Sequence, residues 1–187
     1  MRVVVAIVAS LLASCSGIAP PTADEQAQID KPSPKLQQQL DVFAPLAINW
    51  LNRVASEMRP GARELSTQER LLASEVGVMS PASVRIALVE EMPLPHDEPL
   101  RSMALKLGYG NKAIAGGCIG SLVWINRRHA DNRALLAHEL VHVAQQERMS
   151  QEQYFRRYMA ELAVVGYARS PLEAEANAVM SRYRDTP

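Results

Sequence analysis

The segment Arg133-Ala134-Leu135-Leu136-Ala137-His138-Glu139-Leu140-Val141-His142-Val143-Ala144-Gln145-Gln146-Glu147 decides how the rest of the chain is read. Asp131 is expected to cap a helix from about Asn132 to Arg148. Residues i and i+4 of a helix lie one above the other, so His138 and His142 can turn both imidazoles toward one metal ion. Leu136, Leu140 and Val143 supply an apolar stripe opposite them, which gives that helix a core to face. Glu139 is rotated by about 100° from His138 and stands beside the metal's open position rather than on the metal. A carboxylate there can accept a proton from water whose pKa zinc lowers to roughly 7, and pass it to a leaving amine.

Two histidines leave zinc under-coordinated, and the chain offers no cysteine cluster to complete it. It has two cysteines, Cys15 and Cys118. Neither a disulfide framework nor a cysteine zinc site can be built once Cys15 is committed elsewhere. The third ligand must therefore be a carboxylate or a further histidine. Ser170-Pro171-Leu172-Glu173-Ala174-Glu175-Ala176-Asn177 starts a helix with a cap, a proline at the first position and an acid at the third. Glu173 and Asn177 share one face of that helix; Glu175 is turned about 200° away and reads as solvated.

Working outward, Ser150 with Gln153 forms a capping box for a helix from Gln151 to Val165 that Gly166 ends. Before the histidine pair, Ile119 to Asn126 reads as a strand, fed by a turned or flexible Gly-rich stretch from Gly108 to Gly120. Val84 to Val89 reads as another strand, and Met92 to Pro99, with three prolines, as loop. His96 in that loop is either exposed or a lid residue that stabilises the transition state. Ser66 and Glu69 cap a helix that Gly77 stops. Leu36, Leu40, Phe43, Ala47, Trp50, Leu51 and Val54 recur at helical spacing, with Pro45 expected to kink or divide the helix. The expected fold is α+β, helix-dominated and zincin-like, with a small sheet backing the metal helix.

The first 14 residues combine Arg2, an apolar run from Val3 to Leu12 and small residues, which is a secretory signal too short to remain as a membrane span. Leu12-Ala13-Ser14-Cys15 resembles the lipobox of bacterial lipoproteins, in which the cysteine becomes the lipidated N-terminus. Ser16 and Gly17 then resemble outer-membrane sorting, which implies the periplasmic face of the outer membrane in the bacterial cell envelope. Residues 15–35 carry Pro20, Pro21, Pro32 and Pro34 and read as a flexible tether. Residues 36–187 are left as one catalytic domain. With 20 basic and 20 acidic side chains the chain has no electrostatic footprint for nucleic acid.

Glu173 followed by a polar residue four positions on, downstream of His138-Glu139-Leu140-Val141-His142, resembles the gluzincins, which include thermolysin and the HtpX-like membrane proteases. Ser170, Glu173, Ala176 and Asn177 fall on the Ser, Glu, Ala and Asp of the HtpX-like second motif, while Pro171 stands for its Arg. The resemblance implies Glu173 as the third zinc ligand and Asn177 as the partner that hydrogen-bonds a ligand histidine. The amide of Asn177 replaces a charge that would raise ligand basicity. His138-Glu139-Leu140-Val141-His142-Val143-Ala144-Gln145-Gln146 also resembles the peptidase domain associated with extracellular contractile injection systems, and the compact size resembles the minigluzincins. The implied activity is hydrolysis of peptide bonds in a peptide or protein substrate by one zinc ion, with Glu139 as general base. A zinc-binding lipoprotein module with an assembly or partner-binding role is the other reading.

By analogy with zincins, the strand Ile119 to Asn126 is the edge along which a peptide would add. Tyr167 is the candidate donor to the oxyanion, with Tyr154 and Tyr158 as competitors and a packing role open for each. Cys118 is either a latency switch with its thiolate on zinc or a small buried side chain.

Overall fold

The computed structural model describes residues 19–109 and 114–184; the leader and the lipobox with Cys15 lie outside the described residues. Its elements are α1 (Ala23–Asp30), α2 (Pro34–Met58), β1 (Arg63–Glu64), α3 (Thr67–Glu75), β2 (Arg85–Val89), α4 (Glu98–Lys106), β3 (Gly116–Ile119), β4 (Leu122–Asn126), α5 (Arg133–Glu147), α6 (Gln151–Val165) and α7 (Pro171–Arg182). The expected α+β architecture is what the chain adopts. One mixed sheet in the order β1-β2-β4-β3 supports helices on both faces, with β2 and β4 parallel and the outer pairs antiparallel.

Strand β4 shows why two helical layers form. Its side chains alternate between faces. Val123 and Ile125 pack with Ile86 against Leu136, Leu140 and Val143 of α5 and Leu72 of α3. Leu122 and Trp124 pack on the opposite face against Trp50, Leu51 and Val54 of α2 and Phe155 of α6. Helix α5 is enclosed along Ala134–Gln146, between the sheet and α7. Polar groups there can persist only if something partners them.

Several boundaries differ from the sequence expectation, each for a local reason. Asn132, not Asp131, caps α5, its side chain accepting from the amide of Leu135 at 2.9 Å. The expected single strand Ile119 to Asn126 is a hairpin instead. Gly120, with φ of 52°, turns the chain between β3 and β4, so β4 is interior and β3 is the sheet edge. Met92 to Pro99 is not loop throughout, because Asp97 caps α4 and Pro99 sits in its first turn.

Pro45 does not divide α2, which runs unbroken through it. Both Pro45 and Asp41, whose carbonyl loses its helical partner, are exposed to water. Part of the stretch expected to be a flexible tether is a helix packed on the domain. Thr22 and Glu25 form a capping box for α1, Ile29 is buried against the body, and Arg169 grips both Glu25 oxygens at 2.8 and 2.6 Å.

Candidate metal centre

Helix α5 brings His138 and His142 onto one face, as expected, with ring nitrogens Nε2 3.1 Å apart. Helix α7 packs beside it and delivers Glu173, whose carboxylate oxygens lie 3.3 Å from His138 Nε2 and 3.5 Å from His142 Nε2. Ligands about 2.0–2.1 Å from a tetrahedral ion stand about 3.3 Å from one another, so these separations suit a first-row divalent cation. All three residues are buried. Glu173 Oε2 and His138 Nδ1 are buried with no hydrogen-bond partner among the described residues. An orphaned carboxylate oxygen beside two converging imidazole nitrogens could hold a divalent cation, and two imidazoles with a carboxylate are donors that zinc accepts.

The placement of Glu173 depends on a residue that sequence reasoning missed. Glu161 is fully buried on α6. One of its oxygens accepts from the Ser170 hydroxyl at 2.6 Å and the Leu172 amide at 3.0 Å; the other accepts from Arg157 at 2.9 Å. Ser170 in turn accepts from the Glu173 amide at 3.3 Å. Glu161 thus braces the Ser170 cap and accepts from a second amide at the start of α7, while the Glu173 carboxylate turns toward His138 and His142 instead of back to Ser170.

Asn177 does not hold a ligand histidine. Gln145, one turn beyond His142 on α5, takes that place: its Oε1 lies 2.8 Å from His142 Nδ1, and its Nε2 donates to Leu172 O at 3.0 Å and Glu175 at 2.9 Å. Glu175 also pairs with Arg148 at 2.8 Å. It is a bracing group rather than a purely solvated one. When the ring is neutral, a Gln145 oxygen accepting from Nδ1–H would leave His142 Nε2 free to take a cation. A helix repeat pointed to Asn177, whereas the chain that reaches His142 starts on its own helix, three residues on.

Glu139 lies outside the ligand trio but lines the same cavity. Its carboxylate rests against Gly116 of β3; a Cβ at Gly116 would fall 2.5 Å from Glu139 Oε1. Glycine at that position lets the edge strand approach the base. Burial raises the Glu139 carboxyl above the ordinary carboxylate range, and the two histidines only partly oppose this. Burial alone would raise Glu173 as well, yet the imidazoles beside it hold its carboxyl well below that range. Burial would likewise lower His142, but its contact with Glu173 overrides burial and lifts it to about 9.

The tyrosines separate by role. Tyr158 donates to Glu173 Oε1 at 2.7 Å, and Tyr154 approaches His142 Nδ1 at 3.4 Å while stacking on Tyr158. Tyr167 lines the cavity and is partly exposed, and burial, followed by the charge of Glu173, raises its hydroxyl above the ordinary range. Cys118 also lines the cavity and accepts from Gln146 at 3.1 Å. Burial, followed by the charge of Glu139, pushes its thiol well up, and it is not part of the ligand cluster. That favours the packing role over the switch. His96 is exposed and lines a separate cleft with Arg53, Glu57 and Arg101, away from the histidine pair.

No curated protein and no solved structure matches the chain. A family model described as the eCIS core domain matches residues 118–150, which runs from Cys118 on β3 through the whole of α5 with His138, Glu139 and His142, and stops before Glu173.

Proposed function

We propose that the chain is a zinc-dependent peptidase of the bacterial cell envelope, held there through a lipid on Cys15. The observation that carries this reading is the position of Glu139: a buried carboxylate with a raised pKa, in one cavity with the His138, His142 and Glu173 trio yet outside it. A purely structural metal site has no use for such a group. When bound, zinc supplies Lewis acidity toward a carbonyl and acidifies water. Glu139 then takes a proton at its carboxylate and returns it to the departing amine. His138, His142 and Glu173 hold the ion, Gln145 fixes the His142 tautomer, and Tyr167 offers a hydroxyl to the developing oxyanion.

Strand β3 is the sheet edge on the Glu139 side, so a peptide would add along Gly116–Ile119 rather than along the interior β4. The second reading is a zinc-binding module that assembles with a partner and turns over little. It is favoured by the neutral amide of Gln145 at His142 and by the lack of a partner at His138 Nδ1 among the described residues, since a carboxylate there would strengthen the ligands. Zinc content and cleavage of a mixed peptide library, measured on one preparation, separate the two. Stoichiometric zinc with cleavage that Glu139→Gln abolishes supports the peptidase; stoichiometric zinc with no cleavage supports the module.

A further inference from the structure

The first described residues of the chain are clamped beside the rim of the metal cavity. Arg169 closes the short turn Tyr167–Arg169 that joins α6 to α7. Its guanidinium donates to Ala19 O at 3.2 Å, to Pro20 O at 3.1 Å and to the two Glu25 oxygens at 2.8 and 2.6 Å. A bidentate arginine–carboxylate pair with two further carbonyl acceptors is specific in geometry, unlike a lone surface ion pair, and it fixes the backbone at Ala19. Behind it α1 packs on α6 and buries Ile29. Tyr167, two residues before Arg169, is partly exposed and lines the same cavity as His138, His142 and Glu173.

Cys15 stands four residues before Ala19. Four peptide steps span at most about 14 Å, whatever path they take. A tether free along all of residues 15–35 would reach roughly 70 Å. A domain of this length is roughly 40 Å across. With a lipid on Cys15, a link shorter than half that width does not let the domain turn freely, and the corner built by Arg169 and Tyr167 stays on the side where the lipid enters the bilayer. Tyrosine suits that place, because an apolar ring with a polar tip fits the boundary between acyl chains and water.

We propose that the corner formed by Arg169 and Tyr167 is the membrane-facing surface of the domain, so that the metal cavity opens at the bilayer that holds the Cys15 lipid and meets polypeptide lying close to it. The inference rests on the lipid-anchor reading and does not depend on turnover. The partner of this surface is a lipid bilayer. Helix α3 is then turned away from it, since α3 packs on the other face of the sheet from α2 and α6, against α5 and the far end of α7.

The test uses the full chain purified from membranes, in a Cys118→Ser background, and reconstituted in vesicles of phosphatidylethanolamine and phosphatidylglycerol whose headgroups carry a nitroxide. A fluorophore on Ala168→Cys, in the exposed turn, is compared with one on Gln68→Cys, exposed on α3. The label at residue 168 should be quenched several-fold more strongly than the label at residue 68. Equal quenching at the two positions, in a chain whose Cys15 carries lipid by mass spectrometry, overturns the orientation and leaves the anchor standing. A Cys15 without lipid overturns both.

Two variants test the cause. A flexible Gly-Ser segment of about 20 residues inserted after Gly17 adds a reach of roughly 25 Å without touching the domain, and quenching at residue 168 should fall to the level at residue 68. Arg169→Ala loses all four contacts and leaves Ile29 as the first buried side chain among the described residues, so it should shift the ratio in the same direction. A difference that persists with the inserted segment would show that the corner adheres to lipid without a short link, and overturns the clamp as its cause. An unchanged difference in folded Arg169→Ala does the same. The insertion decides the matter if Arg169→Ala fails to fold.

Discussion

Tyr158 donates its hydroxyl to one oxygen of Glu173 across 2.7 Å, and the other oxygen of the same carboxylate, buried beside His138 Nε2, has no hydrogen-bond partner among the described residues. The two halves of one side chain therefore have different duties. The phenol, kept protonated by burial and by the charge of Glu173, fixes the carboxylate plane. The orphaned oxygen is the one that could take a cation.

Glu173→Gln tests that division. The amide keeps the size of the side chain and can still accept from Tyr158, but it is a poor zinc ligand. Zinc content after dialysis should fall from near one per chain to a small fraction, while circular dichroism stays native. His138→Ala and His142→Ala should lose zinc in the same way. Stoichiometric zinc in Glu173→Gln would sink the assignment of the third ligand.

Glu139→Gln should behave in the opposite sense. Zinc remains bound because Glu139 is outside the trio, and kcat falls by about 10²- to 10⁴-fold because a proton acceptor has been lost. The decisive measurement is kcat at matched zinc occupancy. Unchanged turnover there rules Glu139 out as the base.

The candidate trio was legible in the sequence, because helix periodicity places His138 over His142 and, together with the HtpX-like resemblance, singles out Glu173 rather than Glu175. Their supports were not. Gln145 reaches Leu172 and Glu175 on α7, and Glu161 on α6 caps α7; both contacts join helices whose packing no local pattern encodes. The fold class was read correctly from the strands around Val84–Val89 and Ile119–Asn126, yet the hairpin was missed. Gly120 stands inside an otherwise strand-like run and carries the turn. A glycine inside such a pattern signals a bulge or break in its own right. In the same way Thr22 and Glu25 carry the spacing of a capping box within a proline-rich stretch, where composition argued for a tether.

Gln145 gives a graded prediction. Gln145→Ala removes the acceptor at His142 Nδ1 and should weaken zinc by about 10- to 100-fold, the usual cost of losing a group that orients a ligand. Glu175→Gln disturbs only one of two contacts made by Gln145 Nε2 and should weaken it a few-fold at most. Competition with a chelating dye measures both. A larger loss in Glu175→Gln than in Gln145→Ala would show that the brace does not run through Gln145.

Anchoring is tested apart from the metal site. Cys15→Ala should abolish fatty-acid labelling and leave the precursor unprocessed by the lipoprotein signal peptidase, as the ordered Leu12-Ala13-Ser14-Cys15 stretch implies. Labelling that persists in the variant, or a mature terminus beyond Cys15, excludes the lipid anchor.

Proton release on metal binding is the last prediction. In the zinc-free chain, Glu173 lifts His142 from its reference value of 6.5 to about 9, so at pH 7 the imidazole is charged and paired. Zinc can bind only the neutral ring and must displace that proton. The raised pKa sets two opposite trends. As a stabilising pair, His142 with Glu173 contributes fully below pH 6.5, and that contribution is lost as pH rises through about 9, so the zinc-free chain should melt earlier at pH 9.5 than at pH 7. As a competitor, the same proton opposes zinc, so apparent zinc affinity should rise with pH and level off near 9. Isothermal titration at pH 7 in buffers of different ionisation enthalpy should show about one proton released per zinc from this site. Zinc affinity that does not change between pH 6.5 and 9, with no buffer dependence, would mean that His142 is already neutral and that Glu173 does not control its charge.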